Sequence, residues 1–349
     1  NFIKHRNRVF AGHLFTTVGK ECEGYAPDGT IFGAVSGVLV RDIPQIIKKH
    51  YTAPACVMSI PDYAARNYTL MRLALQHRDV TLWATANPST ILELLRTLNE
   101  NTEEMIQDIE HGTISDLFDI PYFIREELYA YVSPKPERAD ELRQILQEKG
   151  KLEPRDFWPW LQYLSTWKCG NTKIYMDKYM DQFDWDKTFY QELGYIATEC
   201  RFGFSLDDTN ESVLFPQFHY YEFVEESELD SPNKNFLQIY QLEQGKRYCA
   251  YVTTYSGLFR YNMNDLIEVG GKFKNTPTIH MISKVNGIVS LTGEKLYEPQ
   301  FLDAVHKAEE DTGIKTKFFV GFADVKETKY HFYYEFEDED INQEEAEAF

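Results

Sequence analysis

A hydroxyl and a carboxylate stand side by side at Thr198-Glu199, within the stretch ELGYIATECRFGF that follows Gly194-Tyr195 with an aromatic and glycine cluster. The hydroxyl can bond a phosphate oxygen, and the carboxylate can hold the hard cation that rides on it. The same pair also suits a helix start, with Thr198 as cap and Glu199 in the first turn. A second carboxylate, Asp265, lies in SGLFRYNMNDLIEVGG, between a turn and the strand LIEV. An acid emerging at a strand start can accept from two neighbouring hydroxyls, the arrangement that a ribose offers. An ordinary Asn264-Asp265 turn is the other reading.

Other chemistries lack an anchor. The nine histidines are scattered, with no i, i+4 pair and no HExxH, which argues against a zinc site. No G-x-S-x-G elbow marks a hydrolase nucleophile. Five widely spaced cysteines without a CxxC pair fit a reduced, cytoplasmic protein. A net charge of −19 argues against sequence-independent nucleic-acid binding. No apolar run is long enough to cross a bilayer, and residues 1–20 lack a signal-peptide pattern.

The elements that must position these groups follow from period and punctuation. With 349 residues, 43% of them hydrophobic, the chain can fill more than one core. The opening forty residues read as short strands broken at Ala26-Pro27-Asp28-Gly29 and Gly33. Asp62-Tyr63 opens a helix, VTLWATA follows as a buried strand, and Asn87 or Ser89 caps the next helix, with Pro88 in its first turn. SPKPERADELRQILQEKG is a further helix closed by Gly150. From about 213 to 285 the text turns strand-rich (HYYEFVE, RYCAYVTT, DLIEVGGKF, IHMISKV), as in an antiparallel sheet or small barrel. After Asn286-Gly287 a βαββ pattern begins, and the chain stops within it. Alternating strands and helices imply an α/β class with a partly parallel sheet.

Motif order gives these residues a context. YIATECRFG, YYEF, GLFRYNMND and SKVNGIVSLTGEK occur in the order and spacing of motifs in the auxin-responsive acyl acid–amido synthetases, the Gretchen Hagen 3 family. The chain resembles that branch of the acyl-adenylate-forming superfamily over most of its length. The resemblance implies a large adenylate-forming domain of mixed sheets flanked by helices plus a small β-barrel (1–282), a hinge (283–287) and the start of an α+β lid (288–349). It implies an ATP-dependent ligase with Mg²⁺, acting on a small carboxylic acid and an amine, here an amino acid, without nucleic-acid or membrane partners and with a monomer favoured. By position, Thr198 would bond the α-phosphate, Glu199 hold Mg²⁺, Tyr195 pack on adenine and Asp265 bind the ribose hydroxyls. Lys284 takes the hinge arginine's place, and Lys295 would reach the phosphate or carboxylate as the lid closes. Gly170, in KCGNT, loosely matches a loop lining the nucleotide and acyl pocket. For Tyr195 a core position and for Lys295 a plain surface charge are the alternatives, and Arg260 could brace the strands through a carboxylate.

Three departures stand out. Asn264 replaces the glycine of the family's YRVGD, although Asn tolerates a left-handed turn. Lys284 replaces the hinge arginine, exchanging a bidentate donor for a point charge. No Ser/Thr/Gly-rich phosphate loop is present, and FTTVGK is too poor in Gly and Ser to serve as one. The expectation is an internal portion of a longer protein. An acyl-CoA ligase and a non-catalytic nucleotide-binding scaffold are the rival readings.

Overall fold

The computed structural model describes residues 8–41, 43–169, 172–206, 209–285, 288–289, 296–324, 329–338, 340–342, 346 and 349. The chain forms two compact units, the first comprising Asn1–Lys168, Tyr175–Leu193 and Ser205–Asn210 and the second Cys169–Ile174, Gly194–Phe204 and Glu211–Phe349.

The first unit is built on a parallel sheet. Its strands are β1 (His13–Thr16), β4 (Val80–Ala84), β5 (Tyr163–Thr166) and β6 (Phe189–Glu192), in the order β1-β4-β5-β6. A short hairpin of β2 (Gly24–Tyr25) and β3 (Ile31–Phe32) turns at the Ala26–Gly29 signal. β4 and β5 are buried almost throughout, which explains their apolar text. Asp62 caps the helix Tyr63–Leu75, its Oδ1 accepting from the Ala65 amide at 2.7 Å. Asn87 caps Pro88–Glu100 and leaves Ser89 inside the helix. That segment breaks at Asn101, so two helices, Pro88–Glu100 and Thr102–His111, run where the periodicity is continuous. Gly150 ends Pro136–Lys149 with φ 78°. Helix faces and sheet share one core centred on Phe15, Trp83 and Trp158.

One expectation fails in this unit. The apolar text VSGVLVR reads as strand but forms the helix Val35–Arg41. Ser36 Oγ accepts from the Gly19 amide at 2.8 Å, tying the helix start to a neighbouring segment and overriding β propensity.

The second unit carries a six-stranded antiparallel sheet, so the strand-rich stretch takes the sheet form. Its strands are β7 (Gly203–Phe204), β8 (Ser212–Leu214), β9 (Tyr220–Glu225), β10 (Arg247–Thr253), β11 (Tyr261–Phe273) and β12 (Thr276–Lys284), in the order β7-β8-β12-β11-β10-β9. Beyond them come the pair β13 (Ile288–Val289) and β14 (Leu296–Tyr297), the helix Glu298–Thr312, and the ribbon β15 (Thr316–Asp324) with β16 (Lys329–Phe336). Phe301 of the helix stacks on Phe332 and meets Phe319 edge-on.

Candidate functional site

Thr198 and Glu199 form the tip of a tight hairpin, which removes the helix-cap reading. Ile196 pairs with Arg201, and the Ala197 amide donates to the Cys200 carbonyl at 3.0 Å, leaving Thr198-Glu199 as the two turn residues. Thr198 is exposed and Glu199 half-buried. The turn is anchored from below. Gly194 has φ 99°, and a Cβ there would stand 2.4 Å from Phe204 Cα, so only glycine allows the approach. Tyr195 stacks on Phe202 with centroids 4.1 Å apart and belongs to the core of this unit.

Asp265 sits inside a strand rather than at its start. β11 begins at Tyr261, and the turn expected before LIEV is a bulge in which Ala250 alone faces Met263, Asn264 and Asp265. Asn264 supplies φ 58°, the left-handed conformation that its replacement of glycine requires. A second irregularity lies on the other side, between Leu266 and Ile267 in the β11–β12 register. Bulges re-aim side chains.

The re-aimed carboxylate is 2% exposed and has two partners. The Tyr195 hydroxyl donates to Oδ2 at 2.5 Å. The Lys284 ammonium, opposite in the β11–β12 ladder, forms an ion pair with Oδ1. That contact lacks hydrogen-bond alignment, so Oδ1 has a counter-charge but no formal donor. Ser283 Oγ, next along the ladder, is likewise buried without a hydrogen-bond partner. Burial, and then the Asp265 charge, push the Tyr195 phenol well above its usual range, so it stays a donor. Burial pushes the Cys200 thiol up to about 12, with Glu199 and Asp265 both adding to the shift. One thiol therefore feels both carboxylates, which places them in one electrostatic neighbourhood.

A second pair joins two of the sequence motifs. Arg260, at φ 43°, donates to Glu222 from Nε at 2.9 Å and from Nη2 at 2.7 Å, and its guanidinium lies over Phe236. The bracing role read for Arg260 is what the structure contains. Its partner, the glutamate of YYEF, went unassigned, although an acid at a strand position flanked by buried aromatics is the visible signal.

In the first unit, hydroxyls gather where the parallel strands end. Thr17 Oγ1 donates to Thr85 Oγ1 at 2.6 Å, and Thr166 Oγ1 donates to the Ala86 carbonyl at 2.9 Å. Glu192, at the end of β6, is 2% exposed and accepts from the Lys168 amide at 2.5 Å. Carboxyl ends of parallel strands are where open α/β sheets bind ligands. Lys168 opens the KCGNT stretch, but Gly170 lies outside the described residues, as do Lys295 and, of the hinge, Asn286 and Gly287. Two hollows, of about 580 Å³ beside Gly313 and about 340 Å³ beside Gly19, border neither Glu199 nor Asp265.

Comparison with known proteins gives this geometry a lineage. The model of the GH3 family N-terminal domain matches residues 2–187, and that of the GH3 family central domain matches residues 212–284. An indole-3-acetic acid-amido synthetase of Arabidopsis thaliana, GH3.3, is 24% identical over 297 residues, covering 81% of this chain and 49% of the relative. The 4-substituted benzoates-glutamate ligase GH3.12 of the same plant is 25% identical over 298 residues, covering 81% of this chain and 50% of the relative. The chain thus spans about half the length of the curated relatives it matches. The solved GH3.15 acyl acid amido synthetase superposes with a TM-score of 0.80 at 19% identity, over 99% of this chain and 63% of that one, and fixes the fold as α/β. With more than half of its residues under one family model and the central motifs under a second, the chain belongs to the GH3 family.

Proposed function

We propose that the protein is an ATP-dependent ligase that adenylates a small carboxylic acid and passes the acyl group to an amine, in this reading that of an amino acid. A carboxylate is a poor electrophile. Its attack on the α-phosphorus of ATP forms the mixed anhydride of the acyl-adenylate and releases pyrophosphate; attack by the amine on the acyl carbon then forms the amide, with AMP and a proton leaving. The relatives' names, amido synthetase and glutamate ligase, support this reaction class.

The observation that carries the reading is the state of Asp265: buried, oriented by Tyr195, and paired through Oδ1 with a lysine whose side chain is 54% exposed. Swinging Lys284 aside frees Oδ1 to accept a ribose hydroxyl while Tyr195 holds Oδ2. Lys284 ends β12, so the same movement links nucleotide binding to rotation about residues 283–287, between a domain of residues 1–282 and a lid from 288 onward. Thr198 bonds the α-phosphate from the hairpin tip. A hard divalent cation fits Glu199, a half-exposed carboxylate beside a hydroxyl, and Mg²⁺ bound there supplies charge neutralisation at phosphate oxygens. Tyr195 orients Asp265 beside the adenine contact that the resemblance implies. Lys295 and Gly170 enter this reading on sequence position alone. Five free cysteines support a reduced, cytoplasmic setting, and the net charge of −19 supports the absence of a nucleic-acid partner; a monomer is favoured.

The test is ATP–pyrophosphate exchange by the full protein across a panel of carboxylic acids. Glu199→Gln should lower exchange about 10²–10³-fold without lowering the unfolding midpoint. Wild-type exchange in the folded variant would remove Glu199 from the machinery. Supplying an amino acid or coenzyme A separately distinguishes amide from thioester formation.

A further inference from the structure

His13 is distant in sequence from His77 and Asp79, yet one ligand atom from each of the three falls within 4.8 Å of the others. They meet at the beginning of the parallel sheet, where β1 starts beside the connection from the helix Tyr63–Leu75 to β4. Their backbones are tied together before any ion is considered. The His13 amide donates to the Asp79 carbonyl at 2.9 Å, and the Trp158 indole donates to the His77 carbonyl at 3.0 Å. Gly12 permits the first contact, since a Cβ there would stand 2.0 Å from the Asp79 carbonyl oxygen. The side chains converge as well. His13 Nδ1 lies 2.8 Å from Asp79 Oδ1, and the two imidazoles face each other with centroids 3.7 Å apart.

Two imidazoles and one carboxylate are the donor set of a borderline divalent cation. Two donors on one tetrahedral zinc stand roughly 3.3 Å apart, so small side-chain rotations bring these atoms to bonding range. His77 Nε2 has one competing neighbour, the Gln76 amide nitrogen at 3.3 Å. Gln76 is held by Arg72 and by the Tyr131 carbonyl, so a cation on Nε2 displaces only that long contact, and one on Nδ1 leaves it in place. Lys135 also reaches the Gln76 carbonyl at 3.5 Å, and its charge limits the affinity.

We propose that His13, His77 and Asp79 form a binding site for a zinc-like transition-metal ion, with one coordination position left to water. It clamps β1 to the β4 connection. The site stands at the amino ends of the strands, away from the carboxyl ends where open α/β sheets bind their ligands.

The experiment is zinc titration of the full chain against a chromophoric chelator, with the cysteines alkylated, followed by cobalt substitution and its visible spectrum. One equivalent of zinc should bind and raise the thermal midpoint, and cobalt should give the spectrum of a low-coordinate nitrogen and oxygen site. Asp79→Asn and His13→Gln, checked for folding by circular dichroism, should each weaken binding at least about tenfold. Zinc bound equally well by both variants, or no zinc bound by the alkylated wild type, would overturn the site.

Discussion

The two sheets differ in where they tolerate irregularity. In the first unit the parallel strands β4 and β5 run buried, and their neighbours are aromatic rings such as Trp83, Trp158 and Phe183. In the second, β11 passes through three register shifts between Asn262 and Gly271, one against β10 and two against β12, where the first sheet has one, between His13 and Leu14. The three non-glycine residues with positive φ among the described residues, Arg260, Asn264 and Lys274, all lie in or beside that strand. Two buried acids differ in a similar way, although Glu153 of the first unit also keeps an oxygen without an aligned donor. Asp108 in the first unit is fully engaged, accepting from Tyr68, Thr113 and the Ser115 amide. Asp265 in the second retains an oxygen without an aligned donor. A satisfied acid in a regular setting holds a fold together, whereas an under-satisfied acid at a bulge is equipped to exchange partners.

Mutations should separate the two kinds of region. Trp83→Ala empties the centre of the first core and should cost about 3–5 kcal/mol of stability in urea denaturation. Nucleotide affinity measured well below the transition should stay unchanged. Asp265→Ala should weaken ATP and AMP binding by about 1.5–3 kcal/mol, read by calorimetry, with much less effect on the acyl acid. Tyr195→Phe sharpens that test. It removes the orienting hydroxyl but keeps the ring on Phe202, so a smaller loss confined to nucleotide is expected. Equal losses for nucleotide and acid in both variants would assign the pair to architecture. The smallest effect should come from Asn264→Ala, which places a Cβ without a local hydrogen-bonding amide in the left-handed region. A stability loss of about 1 kcal/mol is expected, and Asn264→Gly should be close to neutral.

Much of the fold was legible because its signals are local. Asp62, Asn87 and Gly150 mark helix ends through bonds to their own neighbours, and the aromatic and β-branched content of HYYEFVE and IHMISKV is equally local. VSGVLVR misled because its conformation is decided by a segment it touches, through Ser36 and Gly19. Both candidate carboxylates can be picked out of the sequence by type and position, and their surroundings cannot. Neither the Tyr195 hydroxyl on Asp265 nor the Lys284 ion pair is encoded by spacing, since strand pairing brings Lys284 to Asp265 and core packing brings Tyr195 there. His13 and His77 satisfy no sequence motif, because it is the parallel pairing of β1 with β4 that makes them neighbours.

That parallel pairing also sets an order of events for the newborn chain. β11 and β12 are joined by a short turn, Phe273 pairing with Thr276, so their ladder can zip up on the microsecond scale of a hairpin. β1 cannot pair with β4 until the helix Tyr63–Leu75 and everything before it has been made and folded back, and β4 must then wait for β5 across three further long helices. Loop closure of that length is the slow step in sheets of distant strands. On the ribosome, the edge of β4 that faces β5 therefore waits longest, across residues 85–162, whereas β1 waits across residues 17–79 and meets Tyr51 through Leu14 on the way. That edge of β4 is where a chaperone would be needed longest, and where a slowed synthesis would do the most good.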